Sequence, residues 1–165
     1  MPASPSDLFA YLDDLGIDHK TVDHPATFTV DEGRHLKASM PGGHTKNLFM
    51  KDKDGIIVLI SAWADSQLKL NQLHKKIGTR RLSFASADLM VECLGVKPGS
   101  VTAFALMNDT SHRVKFIADA ALMGFDTVNF HPLVNTATTA ISREGFHHFV
   151  EATGHSLTVV DFSDL

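Results

Sequence analysis

Apolar residues at Leu8, Phe9, Leu12 and Leu15 recur at helical spacing, with Ser4-Pro5 before them and Gly16 after. The pattern predicts a packing helix capped by Ser4, with Pro5 at its first position, where a missing N–H removes no helical bond. Alternation from His19 to His24, ended by Pro25, predicts a short strand. Thr29 followed by Glu32 forms a capping-box pattern that opens a short helix running to about Lys37. Pro41-Gly42-Gly43 then breaks both helix and ladder. From Asn47 the apolar content rises through Leu48, Phe49 and Met50, and Asp52-Lys53-Asp54-Gly55 reads as a hairpin connection into Ile56–Ile60.

Ser61 to Ser66 reads as a polar break, after which Leu68, Leu70, Leu73 and Ile77 predict a short amphipathic helix closed by Gly78. Leu82–Ala85 reads as a strand, and Ser86 as the cap of a helix carrying Leu89, Met90, Cys93 and Leu94 up to Gly95. Val101–Leu106, Val114–Ile117, Thr127–Phe130 and Leu157–Val160 are further strand candidates. Ser142 caps a last helix with Phe146, Phe149 and Val150 as its apolar stripe and Gly154 as its stop. Strands and short helices interleave irregularly and without a repeat. The expected architecture is one α/β domain over residues 1–165, a mixed, mostly antiparallel sheet surrounded by short helices.

Composition narrows the class. In 165 residues, 44% are apolar and 21% charged, as in an ordinary folded domain with a sizeable core. The formal net charge of −4 excludes a generally basic nucleic-acid coat, so contact with a polyanion must come from a local patch. Lys69, Lys75, Lys76, Arg80 and Arg81 supply one. The single cysteine, Cys93, excludes an internal disulfide framework and is expected to be a buried thiol of a core stripe. No stretch approaches the length that spans a bilayer, and the N-terminus has no basic segment leading an apolar run, so a cytoplasmic protein is expected.

Candidate chemistry is sparse. The ten histidines include no His-Glu-x-x-His pair, and His147 and His148 are adjacent, which points them apart on a helix. No metal and no cofactor are expected. There is no Gly-x-Ser-x-Gly elbow, no Walker loop and no Gly-x-Gly-x-x-Gly turn. What stands out is Lys46, expected at a strand end beside the glycine loop, where a cation can meet a phosphate or a developing negative charge. His131 ends an apolar strand and leads into a run of small polar residues containing Thr136 and Thr138, which suits a polar site wall as well as a loop.

Taken together, His24-Pro25-Ala26-Thr27-Phe28-Thr29-Val30-Asp31-Glu32, Thr45-Lys46-Asn47-Leu48-Phe49-Met50-Lys51-Asp52-Lys53, Arg81–Ser86, Asn108-Asp109-Thr110, Val128–Leu133 and Thr138–Ser142 resemble the YbaK/prolyl-tRNA-synthetase-associated editing superfamily. The blocks keep family order from about residue 5 to 162. Within the superfamily the chain is most similar to the freestanding alanyl-tRNA(Pro) deacylases. The resemblance implies a hydrolase that removes alanine mischarged onto proline tRNA, acting in trans on the acceptor end, with prolyl-tRNA synthetase as a transient partner and no DNA or membrane partner. It puts the functional lysine on Lys46, at the terminal phosphate region, with Asn47 beside it, and the functional histidine on His131, at the aminoacyl pocket. Phe28 and Val30 are then pocket-wall candidates, as are Thr136 and Thr138, and the basic cluster is a candidate acceptor-stem contact. The family's Gly-x-x-x-Pro loop, whose glycine backbone helps place the ester and makes Gly99 a catalytic candidate, falls on Gly99-Ser100-Val101-Thr102-Ala103, where Ala103 replaces the proline and makes a more mobile or differently aimed loop the expectation. Ala105 stands where a glycine is expected, and Ser61–Asp65 departs from the family's acidic, proline-containing turn. Two alternatives remain open: a deacylase for Cys-tRNA(Pro) or another small mischarged residue, and a non-catalytic tRNA- or synthetase-binding module.

Overall fold

Four hydroxyl caps set the longer helices of the computed structural model, which describes residues 2–26 and 29–165. Ser4, Thr29, Ser86 and Ser142 each accept a backbone N–H three residues on, opening α1 (Pro5–Asp14), α2 (Val30–Ser39), α4 (Ala87–Leu94) and α5 (Arg143–Ala152). In α1 and α2 the capping box is complete, because Asp7 and Glu32 return a carboxylate to the cap N–H. Gly78 and Gly95 close α3 (Leu73–Ile77) and α4 in the left-handed conformation.

The strands are β1 (His19–Asp23), β2 (Gly43–Lys51), β3 (Ile57–Trp63), β4 (Ser83–Phe84), β5 (Val114–Asp119), β6 (Thr127–Phe130), β7 (Ala137–Ser142) and β8 (Thr158–Val160). They form one sheet in the order β1-β7-β6-β2-β3-β5-β8, with β4 added to β2. Pairing is antiparallel for β1–β7, β6–β7, β2–β3 and β2–β4, and parallel for β2–β6, β3–β5 and β5–β8. This is the mixed, mostly antiparallel α/β sheet expected from the sequence. The larger core packs α1, α4, α5 and a 3₁₀ helix (Ala103–Asn108) on one face, around Leu8, Leu12, Phe104, Phe116, Phe130, Phe146 and Phe149. The smaller core sits beneath α3, around Met50, Val58, Ile60, Leu73 and Ile117. Cys93 is buried in the larger core, and burial pushes its thiol pKa up, as expected of an inert core residue.

Several elements differ from the sequence reading. Val101–Leu106 is not a strand: Thr102 accepts the Phe104 N–H and starts the 3₁₀ helix, a case in which a buried run with a single polar position carries no period to separate helix from strand. Ala103 is its first residue and is fully buried rather than part of an open loop. Ser61–Trp63 is not a break but the end of β3, since Ser61 donates its hydroxyl to Asn47 across the ladder. Leu68 and Leu70 precede the helix rather than belonging to it. The hydroxyl-rich run contains β7, whose Thr138 and Thr139 pair with Val22 and Thr21 of β1.

The two halves of the sheet, β1-β7-β6 and β2-β3-β5-β8, meet through the residue pairs Gly43↔Val128 and His44↔Asn129. Glycine is required there. Gly42 has φ +109°, and a Cβ on it would lie 2.4 Å from the Thr127 carbonyl oxygen, while one on Gly43 would lie 2.7 Å from the Phe125 ring. The strand consequently begins at Gly43, and Lys46 is its fourth residue rather than a strand end.

Gly55 also has positive φ but open space around it. Gly55→Ala should therefore cost only backbone strain, about 1–2 kcal/mol, whereas Gly42→Ala adds a backbone collision and should cost at least about 3 kcal/mol. Urea midpoints of the two variants check this, and equal costs would show that the seam is not tightly packed.

Candidate functional site

After His44, β2 turns away from β6 toward β4, and a cavity of about 150 Å³ opens where the strands part. Its floor is His44 and Thr45 of β2, Asn129 and Phe130 of β6, and His131 just beyond; Thr138 of β7 and His24 close one side, and Gly33, Leu36 and Lys37 of α2 form the roof. Phe130 is gripped by the core, stacked on Phe146 at 4.7 Å and edge-on to Phe104 at 5.4 Å, so the following His131 is displayed from a fixed point. Leu133, two residues on, holds φ +69° with its side chain buried, a strained conformation that shapes the β6–β7 loop.

Backbone carbonyls fix the imidazole orientations. His44 Nε2 lies 2.8 Å from the Met40 carbonyl oxygen and His131 Nδ1 3.0 Å from that of Ala137. A carbonyl only accepts, so these nitrogens carry the proton, and His44 Nδ1 and His131 Nε2 are lone-pair acceptors in the neutral rings. Burial lowers the His44 pKa, as does nearby Lys37, against opposing contributions from the Met40 bond and Asp65. His24 spends one nitrogen on the Pro25 carbonyl at 2.9 Å and the other on the Thr138 hydroxyl at 2.8 Å, and its ring centroid is 6.1 Å from that of His131. Asn129, 1% exposed, donates its amide to the Pro41 and Gly43 carbonyls at 3.3 Å each. Its Oδ1 is buried without a partner among the described residues. The lining is thus largely apolar, with imidazole acceptors on His44 and His131, and Lys37 is the lysine among its described residues.

Of the residues singled out from the sequence, His131 and Thr138 line this cavity. Lys46 shares a strand face with His44 by the two-residue alternation, lies just beyond the cavity, and donates its ammonium to the Ser66 carbonyl. Asn47 lies on the opposite face, bonded to Ser61. Gly99, at φ +93°, stands against Asn135 on the far side of the β6–β7 loop. Thr136 is exposed and accepts the His24 N–H through its carbonyl. Val30 is 74% exposed at the start of α2 and is not a wall of this cavity, and Phe28 lies outside the described residues. Lys69, Lys75, Lys76, Arg80 and Arg81 are all exposed; Lys76 pairs with Asp164 and Arg80 with Asp54, while the other three make no ion pair among the described residues. Among the described residues no group of three or more His, Cys, Asp or Glu side chains is arranged to hold a metal ion.

The sequence reading missed Lys37, His44 and Asn129. His44 carried a usable signal, two residues before Lys46 and hence on its face. Asn129 carried another, as the amide inside an otherwise apolar strand end.

Because the folded His44 pKa lies below its ordinary 6.5, the unfolded chain takes up that proton first as pH falls. Stability should therefore decline below about pH 6.5 and level off under the folded value. The stability difference between wild type and His44→Gln should change between about pH 7.5 and about pH 5; chemical denaturation at the two values checks it, and a constant difference would contradict the assignment.

Residues 24–149 match the family described as the aminoacyl-tRNA editing domain. The prolyl-tRNA synthetase associated domain-containing protein 1 of Xenopus laevis is 38% identical over 161 residues, covering 94% of this chain and 95% of its own. The prolyl-tRNA editing protein ProX of Acetoanaerobium sticklandii is 32% identical over 155 residues, covering 93% of this chain and 94% of its own. In fold alone, the chain resembles the crystal structure of a candidate trans-editing enzyme for prolyl tRNA synthetase, with a TM-score of 0.69 at 18% identity over 96% of this chain and 98% of that one. With this match over residues 24–149 and relatives more than 30% identical along nearly the whole chain, the chain belongs to the aminoacyl-tRNA editing domain family.

Proposed function

We propose that the protein is a trans-editing deacylase that hydrolyses the ester of alanine mischarged onto proline tRNA. The observation that carries this reading is the largely apolar cavity of about 150 Å³, whose small volume suits a short side chain and whose lining includes His131 and Thr138. An α-ammonium needs acceptors, and His44 Nδ1 and His131 Nε2 are lone-pair acceptors on rings that line the cavity. A proline ring is rejected by steric exclusion, which discriminates more strongly than lost contacts do.

In the reaction, water adds to the ester carbonyl carbon, the bond from that carbon to the ribose oxygen breaks, and the ribose oxygen regains a proton. The amino acid and an uncharged tRNA leave. An aminoacyl ester is activated enough for positioning and charge stabilisation to suffice without a protein nucleophile. Lys46 anchors the terminal phosphate region at the rim of the cavity, leaving the Ser66 carbonyl to do so. His131 orients the ester, and a ribose hydroxyl of the terminal nucleotide assists the water. Gly99 acts through the loop it supports. The exposed Lys69, Lys75 and Arg81 extend the positive path toward the acceptor stem, which makes binding weaken with salt.

Hydrolysis of Ala-tRNA(Pro), Cys-tRNA(Pro) and Pro-tRNA(Pro) by wild type and Lys46→Ala tests the reading. Loss of alanine alone is expected, with kcat/KM reduced about a hundredfold in the variant. Faster loss of cysteine would reassign the substrate. Binding of tRNA without hydrolysis of any of the three would replace the deacylase with a binding module.

A further inference from the structure

A second cavity, of about 190 Å³, adjoins the first across the ridge formed by Lys37, His44 and Ala64, which line both. Its other walls include Trp63, Asp65 and Phe125. Trp63 is the only tryptophan of the chain and is half-buried at the last position of β3. Phe125 meets it at 5.6 Å and a tilt of 51°, so it braces the indole without stacking on it. We propose that this groove is a nucleobase subsite, in which Trp63 stacks on a base of the single-stranded end that carries the aminoacyl ester.

The turn presenting the indole is fixed in advance. Buried Asp119 accepts the Trp63 N–H at 3.2 Å and the Ser66 hydroxyl at 2.6 Å, the Ala64 N–H bonds the His44 carbonyl at 2.7 Å, and the Ser66 N–H closes the turn on the Trp63 carbonyl at 2.9 Å. Such preorganisation lowers the ordering cost of binding. The chemistry of the walls is that of single-strand recognition: a half-buried indole that lines the groove while packing against the larger core, for the base, the exposed Lys37 ammonium for its phosphate, and the exposed Asp65 carboxylate for an exocyclic amine of adenine or cytosine. Position agrees as well. The groove shares a wall with the aminoacyl cavity, as a base must when its own ribose bears the ester. The subsite rests on the deacylase reading for its choice of strand end, and on the groove alone for its choice of a base.

Because the chain has one tryptophan, its fluorescence reports on the groove directly. Wild-type protein titrated with a CCA trinucleotide should show saturable quenching, and ribose 5-phosphate, which has the anion and no base, should not quench. Trp63→Leu should raise KM for Ala-tRNA(Pro) about tenfold, more than it lowers kcat, and Trp63→Phe should recover most of the loss. A merely structural Trp63 would shift the melting temperature and leave KM where it was. The proposal fails if the trinucleotide gives no saturable quench, if ribose 5-phosphate quenches equally, or if a folded Trp63→Leu keeps the wild-type KM. Should that variant not fold, the wild-type titration decides alone. Quenching by a protein that hydrolyses none of the charged tRNAs would sink the deacylase and keep the subsite. Hydrolysis without quenching would do the reverse.

Discussion

The parallel contact of Gly43 and His44 with Val128 and Asn129 is the constraint on which the site depends. It joins two half-sheets that otherwise diverge, and the divergence is the cavity. Two glycines permit the approach, and Asn129 reinforces it by donating to the Pro41 and Gly43 carbonyls from the opposite strand. Above this rigid floor the roof is of another kind. Helix α2 has no buried residue and is held largely by its cap and its contacts over the cavity. A helix with so little apolar burial sits at the low-stability end of a fold, where local opening is least costly. A rigid floor under a weakly held roof lets a ligand enter without disturbing the core.

The electrostatic character of the cavity follows from what the backbone has already claimed. His44 and His131 each give one nitrogen to a carbonyl, and each therefore keeps a lone pair on the other. Asn129 gives away both of its donors and retains its acceptor. That buried, unmet Oδ1 is destabilising by itself. The free lone pairs of His44 and His131 are on half-buried rings that line the cavity, where a donating group can meet them.

Local rules read the element ends well, because a cap is a local event. Ser4, Thr29, Ser86 and Ser142 needed only their own turn, and so did Gly78 and Gly95. Failures fell where burial or distant pairing decided. Val101–Leu106 has one polar position, Thr102, too few to show a period, and β7 becomes a strand only because β1 and β6 flank it. The cavity was half legible: His131 and Thr138 were visible beside a proline and in a hydroxyl run, whereas Lys37 reaches the site only because α2 lies over a seam between residues more than eighty positions apart in the chain. Lys46 was legible as a chemical group but not as a bonded one, since its acceptor is a main-chain oxygen.

Asp119 receives the Trp63 N–H, the Ser66 hydroxyl and the Ala121 N–H, and the carbonyl of that same Ser66 receives Lys46. The resting place of the lysine ammonium is thereby set from the interior. Positions 46, 66 and 119 form one bonded chain, in which loss of the buried carboxylate strands three donors together and leaves the half-buried Lys46 ammonium without a fixed resting place. A change at Asp119 is then felt at Lys46 through Ser66, which is bonded to both.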